Sequence, residues 1–189
     1  MIRIAVIGDM GSGKSYVAKQ FGYPVFKADQ EVAKLYKKSR KCYLKLKKIL
    51  PNFIFSFPIK KNKLSSAILS NKNSIKKINK IIHPEVRKKM NNFVKKNKNK
   101  KIIILDIPLL LENKINKKGD VIIFVDAKKK AINRRLKKRR NFNPEIVKKL
   151  RKLQLPLEVK KKKSNFIIKN NFKNNSIKKN VKKVLEKIL

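Results

Sequence analysis

The sequence predicts an α/β fold in which a parallel sheet is flanked by helices. Short, continuous apolar segments alternate with helical patterns along the chain, and this alternation is typical of βαβ units. The apolar segments lack alternating polar residues, as expected for strands that are covered on both faces. A glycine-rich turn joins the first of them to a helix. The 189 residues are enough for one core domain with an insertion.

The N-terminal elements begin with a buried strand over residues 2–7. A glycine-rich turn over 8–13 follows it, and the pattern then predicts a helix over 14–21. A weaker strand is expected over 25–28. Apolar residues at helical spacing then predict one helix over 30–50.

The middle of the chain is predicted to be helical. Residues 63–97 show two or three amphipathic helical patterns, and one helix is expected to begin near Pro84 because proline suits the first helical turn. No convincing strand occurs between residues 30 and 100. We therefore predict a helical insertion over about 30–99 and an α/β core formed by about 1–29 and 100–189.

The C-terminal half supplies the remaining strands and helices of the core. Apolar runs predict strands over 101–106, 120–126 and 165–168, and helical patterns occupy 127–140, 144–154 and 176–189. The lysine run over 160–163 is expected to lie on a solvated helix face.

Composition excludes several classes of protein. Leu, Ile, Val and Phe together make up 63 of the 189 residues, which is above the level of disordered chains. One cysteine, Cys42, cannot form an internal disulfide. No apolar run reaches the roughly 18 residues of a membrane span, and the N-terminus lacks the apolar region of a signal peptide. A cytoplasmic, soluble protein is expected.

The formal net charge of +43 invites a nucleic-acid function. However, the chain has 46 Lys and only 8 Arg, with abundant Asn and Ile. Lys, Asn and Ile all have A/T-rich codons, so genome composition explains the excess of Lys over Arg. We expect non-specific binding to polyanions but no specific nucleic-acid partner and no membrane partner.

The strongest motif is the glycine-rich turn itself. Residues 8–15, Gly-Asp-Met-Gly-Ser-Gly-Lys-Ser, fit the P-loop pattern G-x-x-x-x-G-K-[ST] with a strand before it and a helix after it. In such a loop the backbone N–H groups surround phosphates, Lys14 reaches the β- and γ-phosphates, and the Ser15 hydroxyl can bind Mg²⁺. The motif predicts a small-molecule kinase, and a chance glycine turn is the alternative.

Two carboxylates are predicted to lie at the same edge of the sheet as this loop. Asp29 follows the short second strand and could orient or deprotonate an attacking hydroxyl, or cap a helix. Asp106 ends a later strand and could hold Mg²⁺ through water, or cap the strand end. Ligands of parallel α/β folds bind at the carboxyl ends of the strands. On position alone, both alternatives stay open for each residue.

Histidine and arginine supply further candidates. His83 is the single histidine, and it either caps the turn before Pro84 or binds a substrate phosphate together with Arg87, one helical turn on. Half of the eight arginines cluster between residues 134 and 140. Guanidinium groups suit phosphoryl oxygens because they form bidentate hydrogen bonds.

Together these elements resemble the dephospho-CoA kinase family. The resemblance covers nearly the whole chain, and its elements occur in the family's order and spacing. Residues 11–15 resemble the family's phosphate loop, 28–29 the end of its D-A-D element, 83–87 its H-P-x-[IV]-R element, 106–112 its D-x-P-L-L-F-E stretch, and Arg135 and Arg139 its R-x-x-x-R pair, while Gln154 and Asn170 also fit.

The resemblance implies a P-loop kinase core, a helical acceptor-binding insertion and a basic helical lid over about 139–163. The implied reaction is the ATP-dependent phosphorylation of the ribose 3′-hydroxyl of dephospho-CoA, the last step of coenzyme A biosynthesis, by a monomer or weak oligomer. The implied site residues are Lys14, Asp29 and Arg139 in catalysis; Gly11, Ser12, Gly13, Lys14, Ser15, Tyr16 and Arg135 in ATP binding; His83 and Arg87 in acceptor binding; and Ser15 and Asp106 in Mg²⁺ binding.

The chain also departs from the family pattern. Asp9 and Met10 replace a more usual glycine–aliphatic pair, and Lys27 stands where the first Asp of D-A-D is usual. Two other functions remain as alternatives. One is a small P-loop kinase that acts on a nucleoside monophosphate or a shikimate-like metabolite, and the other is a nucleic-acid-binding ATPase that uses the basic surface.

Overall fold

The computed structural model describes residues 1–71, 73–140 and 142–189, so Lys72 in the predicted insertion and Asn141 in the predicted lid lie outside the described residues. The elements are, in order, β1 Ile2–Gly8, α1 Lys14–Gln20, β2 Val25–Lys27, α2 Ala28–Lys38, α3 Arg40–Ile49, α4 Lys61–Ser70, α5 Ser74–Lys96, β3 Ile102–Asp106, β4 Val121–Asp126, α6 Lys129–Lys137, α7 Pro144–Arg151, α8 Leu157–Lys162, β5 Phe166–Lys169 and α9 Asn174–Ile188.

The predicted α/β class is confirmed by the sheet. Five strands pair in the order β2-β3-β1-β4-β5, and every pairing is parallel. The central strand β1 pairs with β3 on one side and with β4 on the other. Because all strands run in the same direction, their carboxyl ends meet at one edge. Gly8, Lys27, Asp106 and Asp126 therefore share that edge.

The chain divides into two compact units. The first unit comprises Met1–Lys27, Asn97–Asn143 and Val147–Leu189, and it contains the sheet. Its core is formed by apolar side chains of the strands and of α1 and α9, which are almost completely buried. They include Ile4, Val6, Val17, Ile102, Ile104, Ile123, Ile177 and Val181.

The second unit comprises Ala28–Lys96 and Pro144–Ile146. Its described elements are helices that pack around a separate apolar core, which includes Leu35, Cys42, Leu46, Leu64, Ile78 and Ile82. Tyr36 lies against this core, and its carbonyl accepts a hydrogen bond from the Ile59 N–H at 3.0 Å. Burial, with a contribution from Cys42, raises the pKa of the Tyr36 hydroxyl to about 12.

The single helix predicted over residues 30–50 is wrong, since the structure has two helices there. The break lies at Ser39, whose backbone is extended (φ −95°, ψ 97°) and whose hydroxyl oxygen accepts a hydrogen bond from the Cys42 N–H at 3.2 Å. This is an N-cap, which satisfies one of the N–H groups that a helix start leaves unpaired. The apolar spacing continues across the break, so periodicity alone did not indicate it.

The predicted helix start near Pro84 is also wrong. Pro84 lies inside α5, a continuous helix of 23 residues. Proline lacks an N–H, so it cannot donate to the carbonyl of Lys80, and this disfavours a helix interior. The buried residues Ile78, Ile82 and Met90 recur at multiples of four on both sides of Pro84, and Ile78 and Ile82 belong to the apolar core of this unit, so burial of one helix face offsets the cost of the proline. Among the described residues, no helix is long and apolar enough to cross a membrane.

Candidate active site

The glycine-rich turn forms a tight loop between β1 and α1. Gly11 and Gly13 have φ values of 86° and 91°, in the left-handed region that other residues rarely adopt. A Cβ atom on Gly8 would lie 2.6 Å from the carbonyl oxygen of Val125, so the loop passes too close to β4 for a side chain. Ser15 lies in the first turn of α1 and is exposed. The loop therefore leads through two left-handed glycines directly into the N-terminus of α1, an arrangement that is typical of anion sites.

Lys14 lies against this loop. Its ammonium group donates hydrogen bonds to the carbonyls of Asp9, at 2.7 Å, and Gly8, at 3.3 Å. The side chain is buried even though it carries a charge. Two loop carbonyls thus hold the ammonium group at the place where the sequence motif expects phosphates.

The loop between β5 and α9 is bound to the phosphate loop through Asn170. Asn170 is buried, and its side-chain amide donates to the carbonyl of Ser12 at 2.7 Å. Its backbone N–H donates to the carbonyl of Asp126 at 2.6 Å, and its side-chain oxygen accepts from the Phe172 N–H at 2.8 Å. One asparagine therefore connects the phosphate loop, the end of β4 and the start of the next loop.

Arg135 approaches the phosphate loop through Phe172. The Arg135 guanidinium carbon lies 4.5 Å from the centre of the Phe172 ring, which is a cation–π contact. A Cβ atom on Gly13 would lie 3.5 Å from the edge of that ring. Phe172 has a φ of 63°, an uncommon conformation for a bulky residue. Arg139, two residues beyond the end of α6, is exposed.

Asp106 lies at the carboxyl end of β3, where its Cα pairs in register with Val6 of β1 and Lys27 of β2. The residue is buried. Its carboxylate and the Ser15 hydroxyl are the oxygen donors that Mg²⁺ prefers, and Mg²⁺ is commonly bound by one or two such groups together with substrate phosphates. Within the described ranges, no group of three or more His, Cys, Asp or Glu side chains forms a metal cage. The available donors fit a phosphate-assisted Mg²⁺ site.

Asp9 gives the phosphate loop a carboxylate. One oxygen, Oδ1, accepts a hydrogen bond from the Met10 N–H at 2.6 Å. The other, Oδ2, accepts one from the guanidinium of Arg151 at 3.1 Å. Sequence patterns gave Arg151, the last residue of α7, no role. The one signal was that it is one of only eight arginines in a chain rich in lysine.

Lys160 corrects the prediction of a solvated lysine run over 160–163. Its side chain is completely buried, and its ammonium lies 2.6 Å from Oε1 of Glu112 and 3.1 Å from the side-chain oxygen of Gln154. The same Glu112 oxygen accepts the Leu155 N–H at 3.0 Å. A buried ammonium is tolerated only when it is paired in this way. Leu155, just before α8, and Lys160, within α8, are thus both bound to Glu112, which follows β3.

The other candidate residues belong to the second unit. Asp29 is exposed in the first turn of α2 and lies two residues beyond the end of β2. His83 and Arg87 are one turn apart on α5. Partial burial, and to a smaller extent the charge of Arg87, lowers the pKa of His83 below its usual 6.5. The imidazole is therefore neutral at pH 7, and it can donate one hydrogen bond and accept another.

Comparison with known proteins shows similarity along most of the chain. The family model described as dephospho-CoA kinase matches residues 2–176. A dephospho-CoA kinase of Wolbachia pipientis is 34% identical over 170 residues, which cover 87% of each chain. A crystal structure from Thermus thermophilus has a TM-score of 0.81 at 25% identity and covers 100% of this chain and 97% of its own. A dephospho-CoA kinase structure from Campylobacter jejuni has a TM-score of 0.62 at 25% identity, with coverage of 98% and 96%.

Proposed function

Because the chain belongs to the dephospho-CoA kinase family, we propose a mechanism in which its own residues transfer the γ-phosphoryl group of ATP to the ribose 3′-hydroxyl of dephospho-CoA. The chain is a kinase that phosphorylates dephospho-CoA with ATP in coenzyme A biosynthesis. The phosphate loop carries this proposal best. It leaves no room for a side chain at Gly8, and it lies within the matched residues.

Phosphate binding is assigned to the loop and Lys14. The backbone of the loop over 8–15 and the N-terminus of α1 attract the β- and γ-phosphates. The Lys14 ammonium, which donates to the carbonyls of Gly8 and Asp9 in this structure, turns to phosphate oxygens when the nucleotide binds, because these form stronger hydrogen bonds with a cation. Arg135, whose guanidinium contacts the Phe172 ring, binds the nucleotide. Arg139 places a positive charge beside the γ-phosphoryl group that is transferred.

Ser15 and Asp106 would hold Mg²⁺ when the nucleotide is bound. The cation would supply neutralisation of the negative charge on the phosphates. Ser15 provides an exposed hydroxyl at the start of α1, and Asp106 provides a carboxylate at the end of β3. Both donors are hard oxygen ligands, so they suit Mg²⁺ better than a soft metal.

Asp29 orients the 3′-hydroxyl and accepts its proton. The ribose oxygen forms a bond to the γ-phosphorus while the bond from that phosphorus to the β-phosphate oxygen breaks, and ADP leaves with the electron pair. His83 and Arg87 bind the acceptor. Arg87 offers a guanidinium to phosphate, and the neutral imidazole offers a hydrogen bond. Catalysis in this type of reaction depends mainly on positioning and electrostatics.

An acceptor screen tests the proposal against the other small-kinase functions. ADP release is measured with ATP and Mg²⁺ in the presence of dephospho-CoA, AMP or shikimate, at moderate salt. We expect release above the blank with dephospho-CoA alone. Release with AMP or shikimate instead would reject the proposed acceptor. Steeply salt-dependent ATP hydrolysis stimulated by nucleic acid would support the ATPase alternative.

A further inference from the structure

Asp9 places a negative charge in the loop that is proposed to bind a triphosphate. Its carbonyl accepts the Lys14 ammonium at 2.7 Å, so the residue adjoins the group assigned to the phosphates. The Asp9 side chain is only 13% exposed, and solvent therefore screens its charge poorly. An unpaired carboxylate here repels a bound triphosphate. Something in the chain has to compensate for this charge if the loop is to bind ATP well.

Arg151 is placed to supply that compensation. Its guanidinium lies 3.1 Å from Oδ2 of Asp9, while Oδ1 accepts the Met10 N–H. Both carboxylate oxygens are thus engaged, one within the loop and one by a cation from α7. The Arg151 side chain is 33% exposed, so the pair is partly shielded from water.

The chain segment that follows Arg151 is fixed as well. Leu155 donates its N–H to Glu112 at 3.0 Å, and Lys160 forms its buried ion pair with the same carboxylate. These contacts with Glu112 limit the movement of residues 155–160, which follow α7. The Arg151 carbonyl accepts the Gln154 N–H at 3.0 Å, so the turn after α7 connects Arg151 to this anchored segment.

We propose that Arg151 is a positioning residue for nucleotide binding, which neutralises Asp9 and thereby preserves the positive potential of the phosphate loop. The inference rests on the proposed function in that it takes the loop to be the ATP site. Arg151 acts through Asp9 and does not contact the phosphates. Its importance therefore depends on the presence of the acid at position 9.

The test asks whether removal of the Asp9 charge restores the ATP affinity that is lost when Arg151 is replaced. The dissociation constant of Mg²⁺·ATP is measured by calorimetry for the full chain, Arg151→Gln, Asp9→Asn and the double variant. We expect Arg151→Gln to weaken binding by about tenfold at low salt, because an unneutralised Asp9 faces the phosphates. We expect Asp9→Asn to bind no more weakly than the natural chain, and the double variant to recover its affinity.

Matched controls separate charge compensation from loss of fold. Lys152→Gln removes a positive charge from the exposed neighbour of Arg151 and is expected to leave affinity nearly unchanged. Arg151→Lys retains the charge and is expected to rescue most of the loss. The defect of Arg151→Gln should shrink as ionic strength rises, since partly exposed charges are screened by salt. Thermal unfolding of each variant confirms that it is folded.

Two results with Arg151→Gln would overturn the proposal. If Arg151→Gln binds weakly and Asp9→Asn does not restore affinity, Arg151 acts directly on the nucleotide. If Arg151→Gln binds as well as the natural chain or more tightly, the ion pair does not support binding. Failure of the proposed function is recognised separately in the unmutated chain. ATP binding without turnover of dephospho-CoA rejects the acceptor and leaves the charge test intact, and absence of ATP binding rejects both.

Discussion

Lys14 is the residue to which the proposed mechanism assigns contact with the phosphates. Its ammonium donates to the carbonyls of Gly8 and Asp9 within the loop, and hydrogen bonds to phosphate oxygens would be stronger because they are charge-assisted on both sides. We predict that Lys14→Ala lowers the rate of ADP release by on the order of 100-fold or more, as for loss of other transition-state contacts. Lys19→Ala, an exposed change on the same helix, should leave the rate unchanged. A Lys14→Ala rate within about threefold of the natural rate would contradict the assignment.

Asp29 is the residue assigned to the acceptor hydroxyl. We predict that Asp29→Asn lowers kcat by on the order of 100-fold, because the amide cannot accept the proton. The KM for ATP should remain unchanged, since Asp29 is not assigned to nucleotide binding. Steady-state kinetics with varied ATP and dephospho-CoA separates the two constants. Glu31→Gln, a charge-matched change on the same helix, serves as the control, and equal effects of the two changes would remove the special role of Asp29.

At the scale of elements, α8 depends on a buried ion pair. Lys160→Ala leaves Glu112 buried without its cation, and breaking a buried pair in this way typically costs about 3–5 kcal/mol. We predict a loss of that size in the free energy of unfolding, measured by urea denaturation. The exposed neighbour Lys162 provides the control, and Lys162→Ala should change stability by less than about 0.5 kcal/mol. Similar losses for the two variants would show that the pair does not stabilise the fold.

The helix α2 carries a titratable group that is sensitive to alkaline pH. Burial raises the folded-state pKa of Tyr36 to about 12, from the usual tyrosine value of 10.0. The unfolded chain therefore loses this proton first, and the contribution of Tyr36 to stability is complete below pH 10 and is lost as the pH rises towards 12. We predict that, between pH 10 and pH 12, the free energy of unfolding of the natural chain falls relative to that of Tyr36→Phe.

The Tyr36→Phe comparison is needed because many lysines also titrate at alkaline pH. Subtracting the free energies of unfolding of the two proteins at each pH removes their common contribution. A difference that stays constant between pH 9 and pH 12 would show that the Tyr36 hydroxyl titrates normally in the folded chain.

Sequence patterns predicted some elements better than others for physical reasons. The β3 and β4 strands were predicted to within one residue because continuous apolar runs indicate strands buried on both faces. The break at Ser39 was missed because its cap is a local hydrogen bond that interrupts no apolar spacing. Pro84 was misplaced because tertiary packing overrides the preference of proline for helix starts.

At the scale of the whole molecule, the phosphate loop could be predicted because its geometry is encoded in eight consecutive residues. The contacts that fix its surroundings could not, since they join distant parts of the chain. Arg151 and Asp9 are separated by 142 positions, and Lys160 is one of four consecutive lysines with nothing in the sequence to distinguish it. Which lysine is buried depends on the folded position of Glu112.

The net charge of +43 is also a property of the whole molecule. It produces an electrostatic attraction to polyanions, which falls as salt increases. Substrate binding at the phosphate loop is expected to be less sensitive, because Lys14 is buried and bonded within the loop. Assays at moderate salt therefore separate the reaction of the kinase from non-specific association.

The identity of the reaction product decides whether this chain phosphorylates the ribose 3′-hydroxyl of dephospho-CoA. The purified chain is incubated with ATP, Mg²⁺ and dephospho-CoA, and the products are resolved by mass spectrometry and phosphorus NMR, with Lys14→Ala in parallel. We predict one new phosphomonoester on the ribose 3′-oxygen, equimolar with ADP, and its loss in Lys14→Ala. Unchanged dephospho-CoA with a folded, ATP-binding chain, or a phosphate on another oxygen, would contradict the proposed phosphoryl transfer.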